Sequence, residues 1–129
     1  MEQQRKNKAF IINYLTAVSG VDKTRELLEK YITDEALISH IELFETAFPK
    51  YELFIDEMTA EGNRIVIKAR LNGTHLGDLS GIAATFKTVD FPVIVAYEIE
   101  NDKIISHWML ADQMSLMEQL GVVPATAAH

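Results

Sequence analysis

The sequence predicts an α+β fold in which three N-terminal helices cover one face of an antiparallel sheet. Apolar residues in the first third of the chain recur with the period of amphipathic helices, whereas beyond Pro49 they alternate with period two. Turn residues separate the alternating segments, as expected for strands joined by hairpins. Because the helical segments precede the strands, a parallel sheet built from alternating units is not favoured.

The first helix is predicted from about residue 3 to residue 19, and Gly20 ends it. Basic residues precede its apolar stretch, as they do in a secretory signal, but Asn13 interrupts that stretch and the spacing is helical. A folded amphipathic helix is therefore favoured, and no segment is long enough to span a bilayer. The predicted apolar face consists of Phe10, Ile11, Tyr14, Leu15 and Val18.

Two further helices are predicted before the first strand. Asp22 or Thr24 can cap the second helix, and a turn follows at Thr33 to Ala36. The third helix is predicted over roughly Ser39 to Phe48, because Pro49 disfavours its continuation. The predicted buried residues are Leu27, Leu28, Tyr31 and Ile32 in the second helix, and Ile41, Phe44, Ala47 and Phe48 in the third.

Four strands are predicted in the rest of the chain. The first begins near Tyr51 and turns at Glu61-Gly62-Asn63 into a second strand, Arg64 to Gly73. A loop from Gly77 to about Thr85 leads to the third strand, which ends at Ile99. Alternation predicts one apolar face made of Ile65, Ile67, Ala69, Leu71, His75, Phe91, Val93, Val95, Tyr97 and Ile99.

The fourth strand, Lys103 to Asp112, follows a hairpin turn at Asn101-Asp102, and a short helix over Gln113 to Leu120 follows it. Alternation places Ile104, Ser106, Trp108, Leu110 and Asp112 inward, with His107 on the opposite face in a dimer interface. A carboxylate held beside an indole in a dry cavity would have a raised pKa and could transfer protons. The alternative interpretation is that Asp112 caps the helix that follows.

Length, charge and composition limit the function. The 129 residues predict one domain, 1–129, with a frayed tail after about residue 123. A formal net charge of -7 argues against nucleic acid and anionic membranes as partners. The lack of cysteine excludes thiolate chemistry and suggests a reducing, cytoplasmic location. The histidines lack short ligand spacing, so we expect neither a metal site nor another cofactor.

Several segments together resemble a known family. They are three short helices, then Gly73-Thr-His75-Leu-Gly77, Gly81-Ile82, a Thr-Phe-Lys segment, a Tyr97-containing strand, Trp108, Asp112 and Gln119-Leu-Gly121. This pattern is similar to the SnoaL-like polyketide cyclases and predicted ester cyclases. That family belongs to the nuclear transport factor 2-like superfamily, which also contains ketosteroid isomerase. The resemblance implies a cone-shaped, cystatin-like α+β barrel with a pocket, usually paired into a homodimer through its sheet.

The resemblance also implies chemistry: ring closure by intramolecular aldol condensation without a metal or cofactor, with Asp112 as the acid/base group. His75, which alternation places inward, is a second catalytic candidate, because it could donate a hydrogen bond to an enolate oxygen. An apolar ligand would fit between aromatic walls. The predicted substrate-binding residues are Tyr14, Phe44, Phe86, Tyr97 and Trp108.

The leading hypothesis is therefore a cofactor-independent cyclase or isomerase acting on an apolar carbonyl compound. One alternative is a non-catalytic domain that binds a small apolar ligand. Another is a dimerisation scaffold whose cone is filled by Phe86 or Met114. Epoxide hydrolysis is less favoured, because alternation points Arg70 away from any inward acid. Fold alone does not decide among these functions.

Overall fold

The computed structural model describes residues 2–122, and these residues form four helices and four strands. The predicted tail after residue 123 lies outside this range. Helices precede and follow an antiparallel sheet of strand order β1-β2-β3-β4, so the predicted α+β class is confirmed. The elements are α1 (Glu2–Val18), α2 (Arg25–Glu29), α3 (Glu35–Ala47), β1 (Glu52–Glu61), β2 (Arg64–Thr74), β3 (Thr88–Glu100), β4 (Lys103–Ala111) and α4 (Gln113–Leu120).

Side-chain caps explain where the short helices begin. Thr24 caps α2 by accepting a hydrogen bond from the Leu27 amide. Asp34 caps α3, which therefore starts four residues earlier than the sequence analysis predicted. This earlier start adds Leu37 to the buried face of the helix.

Turn residues with positive φ connect the strands. Gly62, at φ 59°, lies in the turn between β1 and β2. Asn101 and Asp102, at φ 52° and 57°, form the predicted hairpin between β3 and β4. Two consecutive residues in this left-handed region match the twist of the flanking strands.

The core lies between the helices and one face of the sheet. The predicted inward face of β2 and β3 is confirmed, because its members from Ile65 to Ile99 are all buried. Helix α1 packs against β1 and β2, while α4 packs against β3. The cavity described next lies within this core.

Candidate functional site

A small apolar cavity of about 40 Å³ lies between α1, α3 and the inward face of the sheet. A single buried water needs roughly 10–15 Å³ of such space, so the cavity has room for about three. Among the described residues, the few polar side chains at its wall come from one lysine, one histidine and three tyrosines. The lining residues are Tyr14, Val18, Lys23, Leu37, His40, Ile41, Phe44, Tyr51, Leu53, Leu71, Val93, Val95, Tyr97 and Met109.

Three of the predicted substrate-binding residues line this cavity: Tyr14, Phe44 and Tyr97. Phe86 does not, because this residue is 73% exposed, with φ 62°, on the loop before β3. Met114 is also exposed, so neither residue fills the cone as the scaffold hypothesis required.

The inward placement of Trp108, Leu110 and Asp112 is wrong, because β4 contains a bulge. Glu98 pairs with Ser106, but Ile99 pairs with Ile104, which leaves Ile105 as the extra residue. The bulge reverses the alternation for the rest of the strand. Trp108 is therefore 49% exposed on the outer face, while Met109 lines the cavity.

Asp112 is exposed and caps α4. Its Oδ1 accepts a hydrogen bond of 3.0 Å from the Ser115 amide. Asp112 is not among the cavity-lining residues, so the structure favours the cap interpretation and does not bring this carboxylate to the cavity.

His75 is fully buried as predicted, but it lies outside the cavity. Its Nδ1 accepts a 3.2 Å hydrogen bond from the Thr85 amide and lies 3.0 Å from the Thr85 hydroxyl oxygen. Its ring packs 5.4 Å from the Phe48 ring, and its carbonyl accepts a hydrogen bond from the Phe86 amide. These contacts hold the loop before β3 against α3, which is a structural role.

His40 is the cavity-lining imidazole that the sequence analysis did not select. Its Nε2 is buried without a hydrogen-bond partner within residues 2–122, and its ring packs 4.9 Å from Phe44. Burial, and then the neighbouring His107, lowers the pKa of His40 from its ordinary value. One sequence signal could have identified it, because His40 follows Leu37 by three residues and precedes Phe44 by four, on one helix face.

Three tyrosines, Tyr14, Tyr51 and Tyr97, line the same cavity. Burial raises the pKa of each phenol, and the phenols of Tyr97 and Tyr51 raise the pKa of Tyr14 further. The Tyr14 and Tyr97 rings meet edge to face at 6.2 Å. All three hydroxyls therefore stay protonated at neutral pH and are available to donate a hydrogen bond to a ligand.

Lys23 is a buried ammonium at the cavity wall. Its Nζ donates hydrogen bonds to the Tyr51 carbonyl at 2.7 Å and the Val21 carbonyl at 3.2 Å. It also lies 3.3 Å from the Glu45 carboxylate and 3.9 Å from the centre of the Tyr51 ring. Burial lowers the pKa of Lys23, an effect that Glu45 opposes.

Asp34 and His107 form a second polar pair on the inward side of the sheet. His107 Nδ1 lies 2.6 Å from Asp34 Oδ2, and the two side chains are only 13% and 14% exposed. The bulge in β4 places His107 here, opposite the cavity-lining Tyr97 in the strand register. The prediction that His107 lies in an outward dimer interface is therefore wrong.

Among residues 2–122, no cluster of three or more His, Cys, Asp or Glu side chains could hold a metal ion. None of the helices in this part of the chain combines the length and hydropathy needed to cross a bilayer.

Comparison with known proteins places this fold in a family. The family model described as SnoaL-like polyketide cyclase matches residues 12–120. No curated protein matches the chain. Solved structures that share the fold come from several bacteria, and their sequence identity is low.

A protein of Jannaschia sp. CCS1, classed among the SnoaL-like polyketide cyclases, is 20% identical with a TM-score of 0.79, and the alignment covers 94% of this chain and 95% of that one. TsrD from Streptomyces laurentii is 20% identical with a TM-score of 0.75, and the alignment covers 90% of this chain and 95% of TsrD. A SnoaL-like polyketide cyclase of Agrobacterium tumefaciens is 15% identical with a TM-score of 0.73, and the alignment covers 89% of this chain and 98% of that one. At these identities the structural likeness establishes the fold alone, an α+β arrangement that this chain shares with these SnoaL-like structures.

Proposed function

Because the chain belongs to the SnoaL-like polyketide cyclase family, we propose that it is a cofactor-independent enzyme of the cyclase or isomerase type. Its substrate is a small, largely apolar carbonyl compound that binds in the cavity described above. The observation that carries the proposal is the placement of one imidazole and three phenols around a single apolar cavity. Polyketide and ester cyclisation are the specific reactions that the family suggests.

The proposed base is His40. Its lowered pKa keeps the imidazole neutral at pH 7, so that it can accept a proton. The unpartnered Nε2 also suits this role, because a buried polar atom without a partner is rare unless a ligand completes it. The Tyr14 and Tyr97 phenols, whose raised pKa values keep them protonated, would donate hydrogen bonds to the substrate oxygen.

The reaction begins when His40 takes a proton from the carbon next to the substrate carbonyl. The C–H electron pair moves into the carbonyl group, and the negative charge forms on the oxygen that the phenols contact. In a cyclisation, the enolate carbon attacks a second carbonyl of the same molecule, and the His40 imidazolium returns its proton to the new alkoxide. In an isomerisation, the proton returns to a different carbon.

This proposal assigns to His40 the proton transfer that the family resemblance assigned to Asp112. The carboxylate of Asp112 is exposed, accepts a hydrogen bond from the Ser115 amide and does not line the cavity, so it is not placed to take a proton from a substrate bound there. His75 is likewise left out: its Nε2 is also buried without a partner within residues 2–122, but its ring lies outside the cavity and its Nδ1 accepts a hydrogen bond from the Thr85 amide.

The second candidate function is non-catalytic binding of a small apolar ligand, which the mainly apolar lining of this cavity of about 40 Å³ favours. A ligand of more than a few heavy atoms must displace lining side chains such as Phe44. The same cavity would therefore serve an enzyme for small substrates or a binding protein, and only a measurement of turnover distinguishes these two functions.

We also propose that a second copy of the chain packs against the outer face of the sheet. Trp108 and Leu110 are exposed there, and Leu110 pairs with exposed Ile94 on the neighbouring strand. Such an apolar row on an antiparallel sheet suits a two-fold interface in which each chain offers the same patch. The lack of cysteine favours a cytoplasmic location for this dimer.

The test is deuterium exchange at the α-carbon of methyl levulinate, a small neutral keto ester, followed by proton NMR in D₂O. We expect the protein to accelerate exchange and His40→Gln to abolish the acceleration while the fold is retained. The rate should fall as pH drops below the ordinary histidine range, because protonated His40 cannot accept a proton. Loss of exchange in Asp112→Asn with full activity in His40→Gln would overturn the assignment of the base. Binding without exchange would support the second candidate.

A further inference from the structure

Lys23 has no part in the proton transfer proposed above, yet it is the most deeply buried charge at the cavity. Its side chain is 1% exposed and it lines the cavity wall in the loop between α1 and α2. Moving an ammonium out of water costs several kcal/mol unless partners replace the lost hydration. The partners of the Lys23 ammonium therefore indicate whether it can also bind a ligand.

Backbone carbonyls satisfy two of the three Nζ protons, with the Tyr51 carbonyl at 2.7 Å and the Val21 carbonyl at 3.2 Å. The third proton faces Glu45, at 3.3 Å. Charge-assisted N–H···O bonds are typically about 2.7–2.9 Å, so the ion pair is loose. In the described part of the chain, Glu45 is the one carboxylate in direct contact with the ammonium, in surroundings that are otherwise mainly apolar.

Glu45 is well placed to leave this contact. Its side chain is 17% exposed, so water can solvate the carboxylate. Its other oxygen, Oε2, accepts a 2.9 Å hydrogen bond from the Lys50 amide, which would remain after Oε1 leaves Lys23. The loose contact between Lys23 and Glu45 is thus the exchangeable one of the three.

We propose that the substrate carries a carboxylate, which replaces Glu45 at the Lys23 ammonium and anchors a small keto acid in the cavity. This inference rests on the proposed function and specifies its substrate class. The carboxylate binds at the Lys23 wall, and the keto group lies toward the phenols and His40. The substrate carboxylate thereby takes over from Glu45 as the counter-charge of the buried ammonium.

The experiment compares levulinate with its methyl ester, which keeps the keto group and removes the charge. Dissociation constants are measured by NMR titration of the parent protein, Glu45→Gln and Glu42→Gln. Glu42 is a matched control, because it lies on the same helix and pairs with Arg25 rather than Lys23. We expect the parent to bind levulinate about tenfold or more tightly than the ester, as a hydrogen bond between charged groups would give.

The two glutamate variants distinguish an anion site from a purely structural lysine. Removing the competing carboxylate in Glu45→Gln should tighten levulinate binding relative to Glu42→Gln and leave ester binding unchanged. Lys23→Met should abolish the preference for the acid if the variant folds. Equal affinity for acid and ester in the parent, or no gain in Glu45→Gln over Glu42→Gln, would overturn the proposal.

Failure of this inference can be told apart from failure of the proposed function. If the keto ester exchanges its α-protons as fast as levulinate, and the two compounds bind equally, the catalytic proposal is retained and the proposed carboxylate anchor is wrong. If levulinate binds preferentially but neither compound exchanges its α-protons, the proposed anion site is retained and the catalytic proposal is wrong.

Discussion

The contact between Asp34 and His107 allows a quantitative test of how α3 is fixed to the sheet. One carboxylate oxygen of Asp34 caps α3, accepting hydrogen bonds from the Ala36 amide at 3.0 Å and the Leu37 amide at 3.3 Å. The other oxygen lies 2.6 Å from His107 Nδ1. Both side chains are largely shielded from water, so this pair should contribute more than a surface ion pair.

Asp34→Ala removes both contacts. An N-cap contributes about 1 kcal/mol, and a hydrogen bond to a charged group contributes about 1.5–3 kcal/mol. We therefore expect Asp34→Ala to lower the free energy of unfolding by about 3 kcal/mol. Asp34→Asn keeps a capping oxygen but loses the charge, so its cost should be smaller, at about 1–2 kcal/mol.

Urea unfolding at constant pH, monitored by circular dichroism, measures these values. A double-mutant cycle with His107→Ala isolates the coupling between the two side chains, which should be about 1.5 kcal/mol or more. A coupling below about 0.5 kcal/mol would refute the reasoning, because it would mean that the pair contributes no more than an exposed one. Equal losses in Asp34→Asn and Asp34→Ala would show that the charge matters more than the cap.

Three further outcomes are expected. Asp112→Ala should lower the free energy of unfolding by about 1 kcal/mol in urea unfolding and leave methyl levulinate binding unchanged, because the residue caps α4 away from the cavity. Gly77→Ala should cost about 2 kcal/mol or more in the same assay, because the added Cβ would overlap the Thr46 carbonyl; a loss under about 0.5 kcal/mol would contradict that close approach. Leu110→Lys should convert dimers to monomers in sedimentation velocity, and an unchanged sedimentation coefficient would contradict the proposed interface.

Most of the architecture could be predicted from sequence because its signals are local. Period-two alternation placed Val93, Val95 and Tyr97 inward, and all three are buried. Gly62 and the Asn101-Asp102 pair are turn residues whose positive φ values the hairpins use. The start of α3 was placed too late, because Asp34 is also a plausible turn residue and its capping bonds depend on the helix that follows.

The candidate site could be predicted only in part. Tyr14, Phe44 and Tyr97 line the cavity, because each lies on a helix or strand whose periodicity is unbroken. His40 shares the apolar face of α3, but an imidazole on such a face is ambiguous until its surroundings are known. Lys23 lies in a loop, where no periodicity indicates that a lysine is buried.

By itself, the sequence determined the α+β order of elements, the turns and the buried faces of β2 and β3, since short-range periodicity and backbone preference specify them. Only the tertiary structure decided which side chains of β4 face the cavity. The amide of Ile104 donates to the Tyr31 carbonyl, and its own carbonyl accepts from the Thr33 amide, so this residue is held by a segment more than seventy positions away in the chain. The strand accommodates that contact with one extra residue, Ile105, and the bulge turns His107 inward and Trp108 outward.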